Sequence, residues 1–375
     1  MSQPPARPQS GGPHVFAGDI REHSESNGRS QVYGALDLGT NNCRLLLARP
    51  SRRGFRVVDA FSRIIRLGEG VSQSGCLSDE AMRRTIDALR VCATKMARNE
   101  VVRARCVATA ACRVAANGRD FLHRVEREVG LKLEVLDQET EASLAVSGCA
   151  SLIDYHADYV LVFDIGGGSS ELIWLDLSEG GGRDRSNANG NGALRVRPKI
   201  RAWTSLPVGV VTLAERFGGH DVTDDSFEAM IAHVSSLLMP FEAEHGFRGR
   251  AHGGNMHLLG TSGTVTTMAG IHLGLRRYDR SRVDGCWLSI EEIRGVTEDL
   301  LACSYGERVA QPCIGQERAD LVLAGCAILE AILRIWPAER LRVADRGLRE
   351  GILTTLMSED GVYRVGRRRR WQRPG

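Results

Sequence analysis

Asp37-Leu-Gly-Thr-Asn-Asn-Cys-Arg-Leu45 and Asp164-Ile-Gly-Gly-Gly-Ser-Ser-Glu-Leu172 are two readings of one pattern, Asp-[Leu/Ile]-Gly-x-x-x-[Cys/Ser]-x-Leu. An apolar run leads into each copy, Val32 to Leu36 and Tyr159 to Phe163, and another apolar run follows it. The pattern predicts strand, acidic glycine-rich turn, strand, twice over. Glycines in a turn free backbone N–H groups to point at an anion, and an aspartate at its edge suits a divalent cation. Two such turns facing each other would hold a phosphate chain and its metal from both sides. The repeat therefore predicts a duplicated α/β fold and a phosphoryl chemistry.

Outward from the first copy, the pattern predicts strands at 32–37, 44–49 and 55–61. A helix opens at Ser78-Asp-Glu-Ala and runs to about Arg98, with a capping residue followed by acids in its first turn. A strand at 104–109, a helix at 118–129, a strand at 131–136 and a helix from Glu139 complete a mixed α/β half. The second copy repeats the opening with strands at 159–164, 170–176 and 199–206. Helices then dominate, at 210–217, 222–244, 264–274, 289–304, 318–336 and 347–358, with strands at 256–260 and 341–344 among them. The division this gives is a disordered tail over 1–30, a first domain over 31–142, a second over 143–358 and a basic tail over 359–375. Residues 179–197, rich in Gly, Asn and Ser, read as a flexible insertion. Arg367-Arg-Arg-Arg370 reads as a solvated tail.

At 375 residues the chain has room for two domains with sizeable cores. A formal net charge of +3 gives no global signature for nucleic acid, so DNA is not an expected partner. Only Lys95, Lys132 and Lys199 are lysines; the remaining basic residues are arginines, whose forked guanidinium suits phosphate. The ten cysteines make no C-x-x-C pair, no apolar stretch has membrane-spanning length, and residues 1–30 lack the apolar core of a secretory signal. These features predict a cytoplasmic enzyme with reduced cysteines and no membrane partner.

Within the first turn, Gly39 permits the bend while Thr40, Asn41 and Asn42 offer donors to phosphate oxygens. Within the second, Gly166, Gly167 and Gly168 are poor for a sheet, which calls for close backbone approach to something; Ser169 and Ser170 add hydroxyls. Ser262, Gly263 and Thr264 open a helix whose N-terminal N–H groups would take a further phosphate.

These turns resemble the actin-like ATPase superfamily. Within it the chain resembles the exopolyphosphatase/guanosine pentaphosphate phosphatase (Ppx/GppA) family in its short, two-domain form. The words that carry the resemblance run in order from 31 to 358: Ala35-Leu-Asp-Leu-Gly-Thr-Asn-Asn, Val107-Ala-Thr-Ala-Ala-Cys-Arg-Val-Ala-Ala-Asn117, Glu139-Thr-Glu-Ala-Ser-Leu, Phe163-Asp-Ile-Gly-Gly-Gly-Ser-Ser-Glu-Leu, Pro207-Val-Gly-Val-Val-Thr-Leu, Gly260-Thr-Ser-Gly-Thr-Val-Thr-Thr-Met-Ala, Glu317-Arg-Ala-Asp-Leu-Val-Leu-Ala-Gly and Gly347-Leu-Arg-Glu-Gly-Ile-Leu.

The resemblance implies two actin-like (ribonuclease H-like) domains with the active site in a cleft between them. It implies that Glu141 is the general base for water, with Glu139 the nearest competitor. By the same resemblance Asp37, Asp164 and Glu171 serve Mg²⁺, and Arg113 holds phosphate at the cleft, with Arg318 nearby. The expected reaction is Mg²⁺-dependent release of terminal orthophosphate from inorganic polyphosphate, or of the 5′ γ-phosphate from guanosine pentaphosphate, the latter implying a place in the stringent response. A homodimer is compatible with it. The alternatives are an actin-like kinase using ATP and a small acceptor, and a non-catalytic nucleotide or alarmone sensor. Asn42, Ser170 and Ser262 depart from the family's usual residues but keep donors or small size.

Overall fold

The computed structural model describes residues 31–51, 54–178, 199–253 and 255–362. The expected tail over 1–30, the insertion over 179–197 and Arg367-Arg370 lie outside the described residues.

The first half runs β1 (Val32–Leu38), β2 (Asn42–Ser51), β3 (Gly54–Ile64), α1 (Val71–Ser74), α2 (Asp79–Arg98), β4 (Val101–Ala108), α3 (Ala110–Val114), α4 (Gly118–Val129), β5 (Glu134–Val135) and α5 (Gln138–Cys149). The second runs β6 (Tyr159–Ile165), β7 (Ser170–Asp176), β8 (Lys199–Leu206), α6 (Val210–Phe217), α7 (Asp224–His245), α8 (Phe247–Gly253), β9 (Met256–Thr261), α9 (Gly263–His272), α10 (Arg280–Val283), β10 (Trp287–Ser289), α11 (Ile290–Ala302), α12 (Tyr305–Ala310), α13 (Val322–Ile335), β11 (Arg340–Ala344) and α14 (Leu348–Glu359).

Two sheets result, ordered β3-β2-β1-β4-β5 and β10-β11-β9-β6-β7-β8. Their shared plan is visible in the pairing. β1 is antiparallel to β2 and parallel to β4; β6 is antiparallel to β7 and parallel to β9. Both β1 and β6 are central strands whose residues are buried nearly throughout, which is why each reads as a continuous apolar run. In β1 the exception is Asp37; in β6 Asp164 and the first residue, Tyr159, are only partly covered.

Helix starts follow the capping chemistry. Ser78 accepts from the Ala81 N–H at α2, and Asp137 accepts from the Thr140 N–H at α5. One expected strand shrinks: of 131–136 only Glu134 and Val135 pair, with Val107 and Ala108 of β4. The expected helix at 318–336 begins at Val322.

The last helix is where local reading and fold part. The sequence division runs the second domain from 143 to 358, yet Leu348, Ile352, Leu353, Leu356 and Met357 of α14 share a core with Tyr33, Ala35, Leu46 and Val107 of the first sheet. α14 also crosses α5 at close range. A Cβ added at Gly148 would overlap the Gly347 carbonyl, and one at Gly351 would overlap the Leu144 carbonyl. The two halves are thus joined by a glycine-lined helix crossing.

Candidate active site

The two turns close in the same way. The Gly39 N–H donates to the Asn42 carbonyl at 2.9 Å, and the Gly166 N–H donates to the Ser169 carbonyl at 2.9 Å. The scaffold takes up the carbonyls facing away: Thr40 and Asn41 accept from Gly68, Ile65 and Arg66, while Gly166 and Gly167 accept from the first residues of α6. Among the described residues, the Thr40, Asn41, Gly167, Gly168 and Ser169 N–H groups donate to no protein acceptor. Buried N–H groups without partners are costly. These five border a cavity of about 540 Å³ between the two halves, where an anion would satisfy them.

The glycines have a second reason to be glycines. A Cβ at Gly168 would lie 2.8 Å from Thr40 Oγ1, and one at Gly167 would lie 3.1 Å from the Cβ atoms of both Thr40 and Asn41. Each turn is packed against the other, so the run of three glycines serves turn-to-turn contact as well as the cavity. Ser170 does not face the cavity: it is fully buried and donates to the Val208 carbonyl at 2.7 Å. The hydroxyl that reaches inward is that of Ser169.

Glu141 stands in the first turn of α5, where the Asp137 cap fixes the backbone, and its carboxyl borders the cavity. Glu139, two residues earlier, is exposed on the outer face of the helix. Arg113, expected to hold phosphate, is absent from the cavity lining. Its Nη1 donates to Glu141 Oε2 at 3.0 Å and to the Leu136 carbonyl at 2.9 Å. It therefore orients Glu141. Burial pushes the Glu141 carboxyl up to about 8, with the Glu171 charge adding to this and Arg113 opposing it.

Asp37, Asp164 and Glu171 converge on the same floor. Burial, then the Glu171 charge, raises the Asp164 carboxyl to about 7. Burial also raises Asp37 and Glu171; Arg44 and Arg349 oppose the rise at Asp37, and the Ser169 and Ser205 hydroxyls, donating to Glu171 Oε1 at 2.7 and 2.9 Å, oppose it at Glu171. Crowded and buried, these carboxyls raise one another's affinity for protons, and a bound cation would relieve that. Among the described residues no three Asp, Glu, His or Cys side chains form a ready ligand cage. Mg²⁺ keeps several waters and takes one or two carboxylates plus substrate phosphates, a demand that Asp37 and Asp164 would fit.

Beyond the turns, α9 points its N-terminus into the cavity. Ser262 precedes it in a left-handed conformation (φ 95°), unusual for a residue other than glycine, and its Oγ is buried without a partner. Asn41 Oδ1 and Asn42 Oδ1 are likewise buried and unpaired. Gly263 and Thr264 complete the lining there, and Arg318 sits alongside, its Nη1 3.8 Å from where a Gly263 Cβ would be. The structure adds residues the sequence reading did not single out as site residues. Arg44, Arg349, Thr109 and Arg280 all line the cavity. Arg44 had a signal, since it stands opposite Asp37 as Glu171 stands opposite Asp164. Arg349 lies in the Gly347–Leu353 word but is brought to the site only by the return of α14.

The arrangement brings two glycine turns with free N–H groups, three acids and an arginine-held carboxyl onto one cavity. The model of the Ppx/GppA phosphatase family matches residues 47–360. The structure of a Ppx/GppA family member from Aquifex aeolicus is 27% identical, covering 88% of this chain and 99% of its own, with a TM-score of 0.67. An exopolyphosphatase from Cytophaga hutchinsonii is 25% identical over 89% of this chain and 99% of its own, with a TM-score of 0.75. An exopolyphosphatase-like protein is 29% identical over 88% and 99%, with a TM-score of 0.74. With the two matching sheets, this correspondence gives the chain two actin-like domains. No described helix is long and apolar enough to cross a membrane.

Proposed function

The chain belongs to the Ppx/GppA phosphatase family, and from that premise we propose that it is a Mg²⁺-dependent phosphohydrolase that removes terminal orthophosphate from inorganic polyphosphate. The observation that carries this reading is Glu141: a cavity-facing carboxyl held by Arg113 between two turns with undonated N–H groups.

In this reading the terminal phosphate lies between Thr40–Asn42 and Gly167–Ser169, its oxygens taking the free N–H groups. Glu141 accepts a proton from a water in line with the terminal phosphorus. As that water's oxygen bonds to phosphorus, the bond to the bridging oxygen breaks. Orthophosphate leaves, and the remaining chain is one phosphate shorter. The N-terminus of α9 and Arg318 hold the leaving portion and its developing charge. Asp37 and Asp164 would hold Mg²⁺, with Glu171 acting through water, and the ion would neutralise phosphate charge. Arg113 positions the base and does not touch substrate.

Guanosine pentaphosphate presents the same terminal phosphoanhydride. A phosphate-release assay with Mg²⁺ on long polyphosphate, tripolyphosphate and guanosine pentaphosphate tests the reading. Fastest turnover on polyphosphate is the expected result; release from guanosine pentaphosphate alone would reassign the substrate, and release from none would sink the proposal. The ten cysteines, all free thiols, support a reducing, cytoplasmic setting.

A further inference from the structure

Asp164, Glu171 and Ser205 stand in one row across the second sheet. Asp164 pairs with Glu171 between β6 and β7, and Glu171 pairs with Ser205 between β7 and β8. Directly opposed residues of antiparallel strands share a face of the sheet, so the row sets a hydroxyl on the far side of Glu171 from Asp164. Ser205 Oγ donates to Glu171 Oε1 at 2.9 Å, and Ser169 Oγ donates to the same oxygen at 2.7 Å. No other side chain among the described residues donates to this carboxylate. One oxygen is therefore held twice, and Oε2 is left for the cavity that Glu171 lines.

Ser205 has a partner of its own. Gln138 Nε2, at the start of α5, donates to Ser205 Oγ at 3.1 Å. A hydroxyl has a single proton; with the amide on its oxygen, Ser205 directs that proton to Glu171. Gln138 also stands three residues before Glu141, on the same face of the helix. The run Gln138–Ser205–Glu171 thus ties the helix that carries the base to the acid beside Asp164. The first sheet has a serine at the matching place, but Ser62 stands opposite Arg44, which accepts no proton.

We propose that Ser205, held by Gln138, is a positioning residue for the metal side of the site: it fixes the Glu171 carboxylate so that Oε2 faces the cavity, where it would accept from water on a cation held by Asp37 and Asp164. The proposal rests on the Mg²⁺ part of the reading above.

The test titrates Mg²⁺ into the full chain by calorimetry, without substrate, and follows phosphate release from polyphosphate separately. Ser205→Ala should weaken Mg²⁺ binding about fivefold, below the usual loss for a group that touches a metal ligand, because Glu171 acts through water. Ser205→Thr keeps the hydroxyl in a residue that suits a strand and should restore the parent's affinity. Gln138→Ala, at an exposed position, should give a smaller loss in the same direction. In a Glu171→Ala background, Ser205→Ala should change the affinity no further, since Ser205 acts through that carboxylate. An unchanged affinity in Ser205→Ala, a loss that Ser205→Thr does not restore, or a full loss repeated in the Glu171→Ala background overturns the proposal and leaves the phosphohydrolase reading standing. If the parent takes up no Mg²⁺, the metal assignment and this proposal fall together. If it binds Mg²⁺ yet releases phosphate from no substrate, the functional reading fails while Ser205 keeps its place beside a metal site.

Discussion

The turn at Asp37 and the turn at Asp164 share a backbone and differ in charge. Both close with the same N–H to carbonyl bond, and both sit between antiparallel strands in the same register. Opposite Asp37 stands Arg44; opposite Asp164 stands Glu171. Burial raises both aspartates; at Asp37 Arg44 and Arg349 oppose the rise, whereas at Asp164 the Glu171 charge adds to it and Arg44 alone opposes it. In the proposed reading the duplicated backbone supplies a two-sided anion grip, and the diverged side chains divide the labour inside it. The second side pairs two acids where the first pairs an acid with an arginine, and Glu141 is the residue that neither copy contains.

Removing that residue gives the largest expected effect. Glu141→Ala should cut turnover by at least ~100-fold, the usual cost of a lost general base, while polyphosphate binding persists because both turns remain. Steady-state turnover with equilibrium binding on the same preparation measures this. Turnover within a few-fold of the parent would remove the base from the site and leave the turns as a binding device.

Next in size is the contact between the copies. Gly168→Ala places a methyl group 2.8 Å from Thr40 Oγ1, so the turns must move apart. A cost of about 2 kcal/mol in unfolding free energy is expected from such overpacking, with a parallel loss of activity. Adding Thr40→Ala, which deletes both Oγ1 and the methyl at 3.2 Å, should recover part of the stability. A stability equal to the parent's would mean that the glycine serves the phosphate alone.

The comparison also marks what a sequence can convey. The repeated turn was legible because its chemistry is local: an aspartate, glycines at fixed offsets and flanking apolar runs specify strand–turn–strand without distant contacts. Strand and helix positions followed for the same reason. Residues whose meaning depends on distant partners were not legible. Arg113 reads as a phosphate clamp until the fold brings it to Glu141, 28 positions along the chain. Ser170 looks like its neighbour Ser169, but strand alternation turns it toward Val208. Arg349 reaches the site only because α14 returns to the first sheet across almost the whole chain.

The asymmetry itself can be tested by metal titration. Asp164→Asn and Glu171→Gln should each weaken Mg²⁺ binding about tenfold, and Asp37→Asn by less, because Arg44 and Arg349 already offset the first aspartate. Isothermal titration of the unliganded variants gives the ranking. Equal losses on both sides would count against a division of labour between the copies.

The smallest effect is a shift along the pH axis, and its sign follows from the neighbours of Glu141. A general base works deprotonated, so activity should rise with pH as that carboxyl ionises. In the metal-free site burial and the Glu171 charge push Glu141 up to about 8, while Arg113 pulls it down. Glu171→Gln removes a cause of the rise, so the acid limb of kcat/KM at saturating Mg²⁺ should move to lower pH. Arg113→Ala removes the opposing charge and should move it to higher pH. Opposite displacements in the two variants would show that a side chain of the second copy and an arginine outside both copies act on one shared base. Displacement in the same direction, or none, would mean that the acid limb belongs to another group and that the diverged charges of the turns do not reach Glu141.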